Sequence, residues 1–139
     1  MTDVNEWNRQ IVEEFRSNDG RVGGQFANIP LLLLRTKGAR SGAERINPLA
    51  YQRLDSGYAI FGSYAGAPKN PAWFHNLMAD PKVTIEVGTS TVPVTARVAD
   101  GAERERIWEQ QKTEVPAFAG YESKTDRTIP VIVLEPDNR

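Results

Sequence analysis

A turn rich in glycine and arginine contains the residues whose types and spacing most suggest chemistry. Gly38 and Gly42 interrupt the run RTKGARSGAER after an apolar stretch, and the cations Arg40 and Arg45 flank Ser41. Free N–H groups of a glycine turn, a hydroxyl and guanidinium groups are suited to binding phosphates and carboxylates. The sequence therefore predicts an anion-binding site here, formed by Arg40, Ser41 and Arg45.

A second group of candidate residues lies in the run FGSYAGAPKNPAWFHN. Gly62 and Ser63 end a predicted strand, and Asn70 followed by Pro71 predicts a helix start with Asn70 as its N-cap. The first turn of a helix offers N–H groups and the positive end of the helix dipole, and Lys69 adds a cation. A flat aromatic cofactor could lie against this backbone. The alternative is an ordinary capped helix whose aromatic side chains belong to the core.

A third group lies in PAFAGYESKTDRTIP, before the last predicted strand. Phe118 and Tyr121 share a predicted turn, and Asp126 and Arg127 follow it. An accessible tyrosine in such a turn can orient or protonate a substrate. The alternative is a buried tyrosine with a satisfied hydroxyl, beside a local pair of Asp126 and Arg127.

Predicted helices place these groups along the chain. Apolar residues at helical spacing predict an amphipathic helix from Val4 to Arg16. Three roles are open for its apolar face: docking on the core, covering a ligand pocket, or resting on a membrane surface. A second predicted helix runs from Pro71 to about Ala79. A third runs from Asp100 to about Glu114, with Glu103 completing a capping box.

The predicted strands outnumber the helices. They are Leu31–Arg35, Arg45–Leu54, Tyr58–Ser63, Val83–Val87, Val92–Val98 and Ile129–Leu134. Hairpin turns are predicted at residues 55–57 and 88–90. Strict strand–helix–strand alternation is absent, so the pattern favours a mainly β (α+β) fold, either a β-barrel or an α+β roll.

Composition excludes several classes of function. The chain has 139 residues, a formal net charge of −1, no cysteine and one histidine. These features predict one domain and disfavour nucleic-acid binding, thiolate chemistry and a histidine-based metal site. The N-terminus is polar and the longest apolar run is short, so a cytoplasmic protein is expected. Any difficult chemistry would then come from an anionic cofactor.

In this order and spacing, the three runs resemble the deazaflavin-dependent nitroreductase and quinone reductase family, whose members use coenzyme F-420. The similar segments are PLLLLRTKGARSGAERINPL, GSYAGAPKNPAWFHNLMADPKV and YESKTDRTIPVIVLEP, with EFRSNDGRVGG near the start. The resemblance covers nearly the whole chain. It implies a single domain, residues 1–139, with an N-terminal helix and linker (1–24) and a split β-barrel of the FMN-binding-like type (25–139).

The implied activity is hydride transfer from reduced F-420 to an electron-poor acceptor such as a quinone, a nitroaromatic or an activated alkene. The resemblance gives Tyr121 and Ser63 as candidate proton or hydrogen-bond donors to the acceptor, with no metal. The implied cofactor-binding residues are Arg40, Ser41, Arg45, Ile46, Asn47, Pro48, Leu49, Gly62, Ser63, Tyr64, Lys69, Ala72, Trp73, Phe74, His75, Asn76 and Phe118.

The sequence departs from the nitroimidazole-activating relatives at four positions. Those relatives carry a lysine where this chain has Tyr64, and tyrosines where it has Ala50, Val115 and Phe118. The implied pocket is therefore more apolar, which bears on the acceptor more than on the cofactor.

Two rival functions stay open at this point. One is an FMN-dependent reductase on the same barrel, and the other is a non-catalytic protein that binds a cofactor or lipid. The sequence leaves open whether the protein is a monomer or a homodimer. It also leaves open a peripheral membrane contact of the first helix, although Glu13 and Glu14 oppose binding to an anionic surface.

Overall fold

The computed structural model describes residues 4–23, 30–38, 42–62, 70–125 and 127–137, with side chains from residue 9 onward. Its helices and strands, in chain order, are α1 (Val4–Ser17), β1 (Leu31–Lys37), β2 (Glu44–Leu54), β3 (Gly57–Phe61), α2 (Ala72–Ala79), β4 (Lys82–Val87), β5 (Ser90–Val98), α3 (Gly101–Glu114), α4 (Ala117–Ser123) and β6 (Val131–Pro136).

The six strands close into an antiparallel barrel in the order β1-β2-β3-β6-β5-β4. Tight turns join β2 to β3 and β4 to β5, at the two places predicted from the sequence. Gly57 and Gly88 have φ values of 154° and 58°, which residues with a Cβ atom rarely adopt. A closed barrel with short helices confirms the predicted mainly β fold.

The apolar run that begins β1 is buried on both faces of the barrel wall. Leu32 and Leu34 point into the barrel, whereas Leu31 and Leu33 pack against α1. Because successive side chains of a strand alternate, a strand covered on both faces needs apolar residues at every position. This requirement explains four consecutive leucines.

The main hydrophobic core lies inside the barrel, and side chains of α2 pack into it. Trp73 and Leu77 of α2 are buried there with side chains from the barrel strands. Asn76, on the same helix, donates a hydrogen bond to Thr36 Oγ1 of β1 at 3.2 Å. Trp73 and Leu77 therefore fix α2 against the barrel through the core.

A second cluster lies between the outer face of β3 and β6 and the helices α3 and α4. We call this the α3/α4 cluster; its buried residues are Ala59, Phe61, Ala99, Ile107, Trp108, Phe118, Ile129, Val131 and Val133. Gln52 of β2 is buried beside it and donates to Ile107 O at 3.0 Å. Buried polar groups are stable only when such partners satisfy them.

The helix α1 docks on the outer face of β1 and β2. Its Val12 and Phe15 pack with Leu31 and Leu33, among other residues, in what we call the α1 cluster. Arg16 also forms a bidentate pair with Glu86 of β4, with N–O distances of 2.6 and 3.0 Å. This confirms the docked arrangement for the described part of the helix.

Three local predictions are wrong. The run containing Phe118 and Tyr121 forms the helix α4 rather than a turn. Pro71, not Asn70, is the N-cap of α2. The predicted capping box of α3 does not form. Asp100 is the N-cap of α3 but makes no side-chain cap hydrogen bond, and two guanidinium nitrogens of Arg97 donate to the Glu103 carboxylate at 2.7 and 2.8 Å. A charged donor competes successfully with the capping arrangement at Glu103.

Candidate functional site

The strand β2 has a different partner in each of its two halves. It pairs with β1 from Glu44 to Ala50, but its register with β3 covers only Tyr51 to Leu54. Over residues 44–50, the edge facing away from β1 therefore has no strand partner within the described residues. Such an edge presents N–H and C=O groups that can hydrogen-bond a planar ligand.

The predicted cofactor-binding residues of β2 lie along this open edge and alternate between two faces. Leu49 packs against the barrel core, whereas Ile46 packs against the α1 cluster. By the same alternation Arg45 and Asn47 share the face of Leu49, and Pro48 shares the face of Ile46. A ligand that contacts all five residues must therefore run along the backbone edge between the faces.

Arg45 lies on this edge near the start of β2. It lies opposite Thr36 in the β1–β2 register and is exposed. Because Thr36 accepts the hydrogen bond of Asn76, the structure brings Arg45 and the α2 residue Asn76 to the same end of the barrel. The first and second groups of candidate residues, which are far apart in the sequence, therefore lie at the same end of the barrel.

The start of α2 forms the next part of the site. Pro71 has no side-chain donor or acceptor, so it cannot cap the helix through its side chain. Ala72 and His75 are exposed and Phe74 and Asn76 are half-buried, while Trp73 belongs to the barrel core. The Phe74 N–H donates to Pro71 O at 3.1 Å, so the N–H groups of Ala72 and Trp73 and the exposed side chains are the groups at this helix start that can bind a ligand.

The basic turn is only partly within the described residues. Its Gly38 N–H donates to Ala43 O at 2.8 Å, and its Gly42 N–H donates to Gly38 O at 2.9 Å. The expectation that these glycine N–H groups are free to bind an anion is therefore wrong for Gly38 and Gly42. The predicted site residues that lie outside the described residues are Arg40, Ser41, Ser63, Tyr64 and Lys69.

Tyr121 lies on α4, half-buried at the margin of the α3/α4 cluster. Its ring contacts that of Phe118 edge-on, with centroids 5.2 Å apart. Phe118 is itself buried between Phe61 and Trp108. Phe118 therefore behaves as a core residue, whereas Tyr121 reaches the surface of the cluster.

The helix α4 is fixed to α3 through Glu122. Its carboxylate accepts hydrogen bonds from Trp108 Nε1 at 2.6 Å and from Lys112 Nζ at 3.1 Å. Burial, the largest single effect, would raise the pKa of the Glu122 carboxyl, but the two hydrogen bonds together with the positive charges of Lys112 and Arg104 lower that pKa overall. The position of Tyr121 is consequently set by its neighbour in sequence.

Sequence reasoning missed two contacts that organise the site. One is the hydrogen bond between Asn76 and Thr36, and the other is the donation from Arg127 Nη1 to Asn70 Oδ1 at 2.8 Å. The pair Asn70 and Pro71 resembles a helix start, which concealed the role of Asn70 as an acceptor. Nothing local to either residue signals a partner 57 positions away.

The arrangement can bind a flat, anionic cofactor by three kinds of contact. The open edge of β2 offers backbone hydrogen bonds, Arg45 offers a cation, and the first turn of α2 offers N–H groups. Ala50 packs against both the α1 cluster and the α3/α4 cluster, so the edge lies between these apolar regions. Apolar surroundings of this kind are suited to a hydrophobic second substrate.

Comparisons with known proteins identify the family of the chain. Residues 7–136 match the family described as F420H(2)-dependent quinone reductase. The chain is 36% identical over 124 residues to a Mycobacterium tuberculosis protein named F420H(2)-dependent quinone reductase, covering 86% of this chain and 83% of that protein.

Two solved structures are similar over most of the fold. One, described as an F420-H2 dependent reductase, is 40% identical with a TM-score of 0.70 and covers 76% of this chain and 94% of its own. Another, described as a domain-swapped dimer, is 36% identical with a TM-score of 0.72 and covers 96% of this chain and 100% of its own. The split-barrel prediction is confirmed. No helix among the described residues is long and apolar enough to cross a membrane.

Proposed function

The chain belongs to the F420H(2)-dependent quinone reductase family, and we propose that it transfers a hydride from reduced coenzyme F-420 to a quinone-like acceptor beside the open edge of β2. The family assignment makes F-420 the cofactor and disfavours the FMN-dependent and non-catalytic alternatives. The sequence resemblance to the family, and the cofactor it implied, are thereby confirmed.

One structural observation supports the placement of the site. Residues 44–50 of β2 do not pair with β3, and within them Ile46 to Ala50 are half-buried. Arg45 of this part lies opposite Thr36, which accepts the hydrogen bond from Asn76 of α2. A strand edge that is sheltered yet unpaired is suited to holding a planar ring by backbone hydrogen bonds. We place the ring of F-420 there and its anionic tail towards Arg45.

The acceptor side follows from the α3/α4 cluster. Tyr121 lies at its margin, together with Ala50 and Val115, and Phe118 lies within it. The last three are the positions at which the nitroimidazole-activating relatives carry tyrosines. Since this chain has apolar side chains there, we expect an apolar quinone to be a better acceptor than a nitroimidazole.

When bound, reduced F-420 supplies the hydride. The chain's residues bind and orient it and exclude water, which raises the effective concentration of the reacting groups. The acceptor quinone gains the hydride on one end of its conjugated system and a proton on oxygen, giving the hydroquinone. We assign Tyr121 and Ser63 as donors to that oxygen as its charge develops, with solvent as the alternative proton source.

The activity is tested by mixing purified protein with reduced F-420 and a small naphthoquinone in the absence of oxygen. We expect oxidation of F-420 to follow enzyme concentration and to form one equivalent of hydroquinone. The same assay with reduced FMN serves as the comparison. Oxidation at the rate of the protein-free control would contradict the proposal.

Assembly and location are separate proposals. Similarity to the domain-swapped dimer favours the homodimer over the monomer for this chain. Light scattering of the purified protein separates the two. A peripheral membrane contact of α1 stays a prediction, and so do the division of the chain at residues 24 and 25 and the cytoplasmic location.

A further inference from the structure

The segment 127–130 contacts the end of β3 and the start of α2 at the same time. The Gly62 N–H donates to Pro130 O at 2.9 Å, and Arg127 Nη1 donates to Asn70 Oδ1 at 2.8 Å. A Cβ added to Gly62 would lie 2.6 Å from Pro130 Cγ and 3.7 Å from Pro71 Cδ. The two flanks of residues 63–69, which lie outside the described residues, therefore share one support.

This support is itself anchored to the barrel wall and to α3. The Ile129 side chain is 1% exposed and belongs to the α3/α4 cluster. Its carbonyl accepts a hydrogen bond from Arg104 Nη2 at 2.8 Å, and β6 begins directly afterwards at Val131. Because both the α3/α4 cluster and Arg104 hold the segment 127–130 in place, the segment can keep Gly62 and Asn70 in fixed positions.

The contact between Arg127 and Asn70 is the polar part of this support. A guanidinium that donates to an amide oxygen makes a charge-assisted hydrogen bond, which is stronger than one between neutral groups. Burial lowers the pKa of the Arg127 guanidinium, which reflects a partly dehydrated charge.

We propose that Arg127 is a positioning residue for the cofactor site, which holds Asn70, and with it the start of α2, at a fixed distance from Gly62. This inference rests on the proposed function, since Gly62 and the residues at the start of α2 are among the cofactor-binding residues that the family resemblance implies. Arg127 acts through Asn70 rather than by touching the reacting atoms. Its loss would allow the two sides of the site to separate.

The test compares the affinity for reduced F-420 and the turnover with a naphthoquinone in four variants: Arg127→Met, Arg127→Lys, Asn70→Ala and the double variant Arg127→Met/Asn70→Ala. We expect Arg127→Met and Asn70→Ala each to raise Kd and KM for F-420 by about tenfold, the equivalent of one charge-assisted hydrogen bond. The double variant should add little to either, because both remove the same contact. Arg127→Lys should recover part of the affinity, since it keeps the charge but not the planar fork.

Arg97→Met is the matched control, since Arg97 binds Glu103 and Glu135 on the outer surface of β5. It should shift the midpoint of urea unfolding without changing Kd or KM for F-420. At saturating F-420, kcat of Arg127→Met should fall less than twofold. A merely structural role would instead lower the unfolding midpoint of both arginine variants and leave both affinities unchanged.

The outcomes separate this inference from the proposed function. If the wild-type protein binds F-420 and both Arg127→Met and Asn70→Ala bind it equally well, Arg127 is not a positioning residue and only this inference is overturned. If the wild-type protein does not bind F-420, the proposed function and this inference both fail. Should Arg127→Met not fold, Asn70→Ala removes only the acceptor and decides the question alone.

Discussion

Arg45 is an exposed cation at one end of the barrel, opposite the residue that binds Asn76 of α2. We expect Arg45→Ala to weaken F-420 binding by roughly tenfold to a hundredfold, because losing a charge-assisted pair costs about 1.5–3 kcal/mol. Fluorescence titration measures the effect. Arg53→Ala, on the same strand and also exposed, is the control. Equal affinities of the two variants would contradict the placement of the anionic tail.

Tyr121 tests the acceptor side of the site. Replacing it with Phe keeps the ring contact with Phe118 but removes the hydroxyl. We expect kcat with a naphthoquinone to fall on the order of a hundredfold, the usual effect of removing one donor to a developing oxyanion, with little change in Kd for F-420. The control is Tyr58→Phe, whose ring contacts Tyr51. An unchanged kcat for Tyr121→Phe would show that Tyr121 only packs.

Gly62 has no room for a side chain. A Cβ there would approach Pro130 Cγ to 2.6 Å, so we expect Gly62→Ala to lower the free energy of unfolding by about 1–3 kcal/mol through overpacking. Gly120→Ala is the control, since a Cβ there meets nothing within 4 Å and Gly120 lies in α4. We expect it to be neutral or stabilising. Urea unfolding compares the two, and equal midpoints would refute the close contact.

Residue types and the family resemblance made Arg45, Gly62 and Tyr121 candidates, because cations, glycines and tyrosines are recognisable in a sequence. They were not enough to find the partners of Asn70 or Glu103. In both cases an arginine from another segment binds the side chain that local rules assign to a helix cap. Which competitor wins depends on distances that only the folded chain defines. The roles given to the site residues stay predictions.

At the scale of elements, the docking of α1 depends partly on a titratable group. The hydrogen bond from Arg16 lowers the pKa of the Glu86 carboxyl against the opposing effect of burial. A lowered pKa in the folded state stabilises the protein above the ordinary carboxyl value of 4.5, and this stability is lost as the pH falls through the lowered pKa. Because Arg16 is about half exposed, the contribution is about 1 kcal/mol or less.

We therefore expect amide hydrogen exchange within α1 to become faster relative to the barrel strands as the wild-type protein is acidified below 4.5. Glu86→Gln should show the faster exchange already at neutral pH and little further change on acidification. Glu135→Gln, which alters the ion pair between Glu135 of β6 and Arg97 of β5, should leave α1 unaffected. The same pH dependence in wild type and Glu86→Gln would exclude this pair as its cause.

Most helices and strands were predictable because their apolar spacing, glycines and prolines are local signals. The helix α4 was not, since AFAGYES is short and contains a glycine, and its stability comes from packing and from Glu122 binding Trp108 and Lys112. The strand β6 also begins two residues later than predicted, because Ile129 and Pro130 contact Arg104 and Gly62 instead. Tertiary contacts decided both cases.

At the scale of the whole molecule, the barrel is closed by pairing β1 with β4 and β3 with β6. These pairs are distant in the chain, so strand propensity could not distinguish a barrel from an open α+β roll. The resemblance to a known family supplied the choice, and the comparisons confirm it. The open edge of β2 exists because β3, with five residues, is too short to pair with all eleven residues of β2.

We propose that this barrel binds a deazaflavin at the open edge of β2. The most direct measurement is a fluorescence titration of the purified protein with reduced F-420, with FMN in parallel. We predict saturable binding of F-420 and little response to FMN. Tighter binding of FMN would contradict the cofactor assignment, and binding of neither would contradict the site.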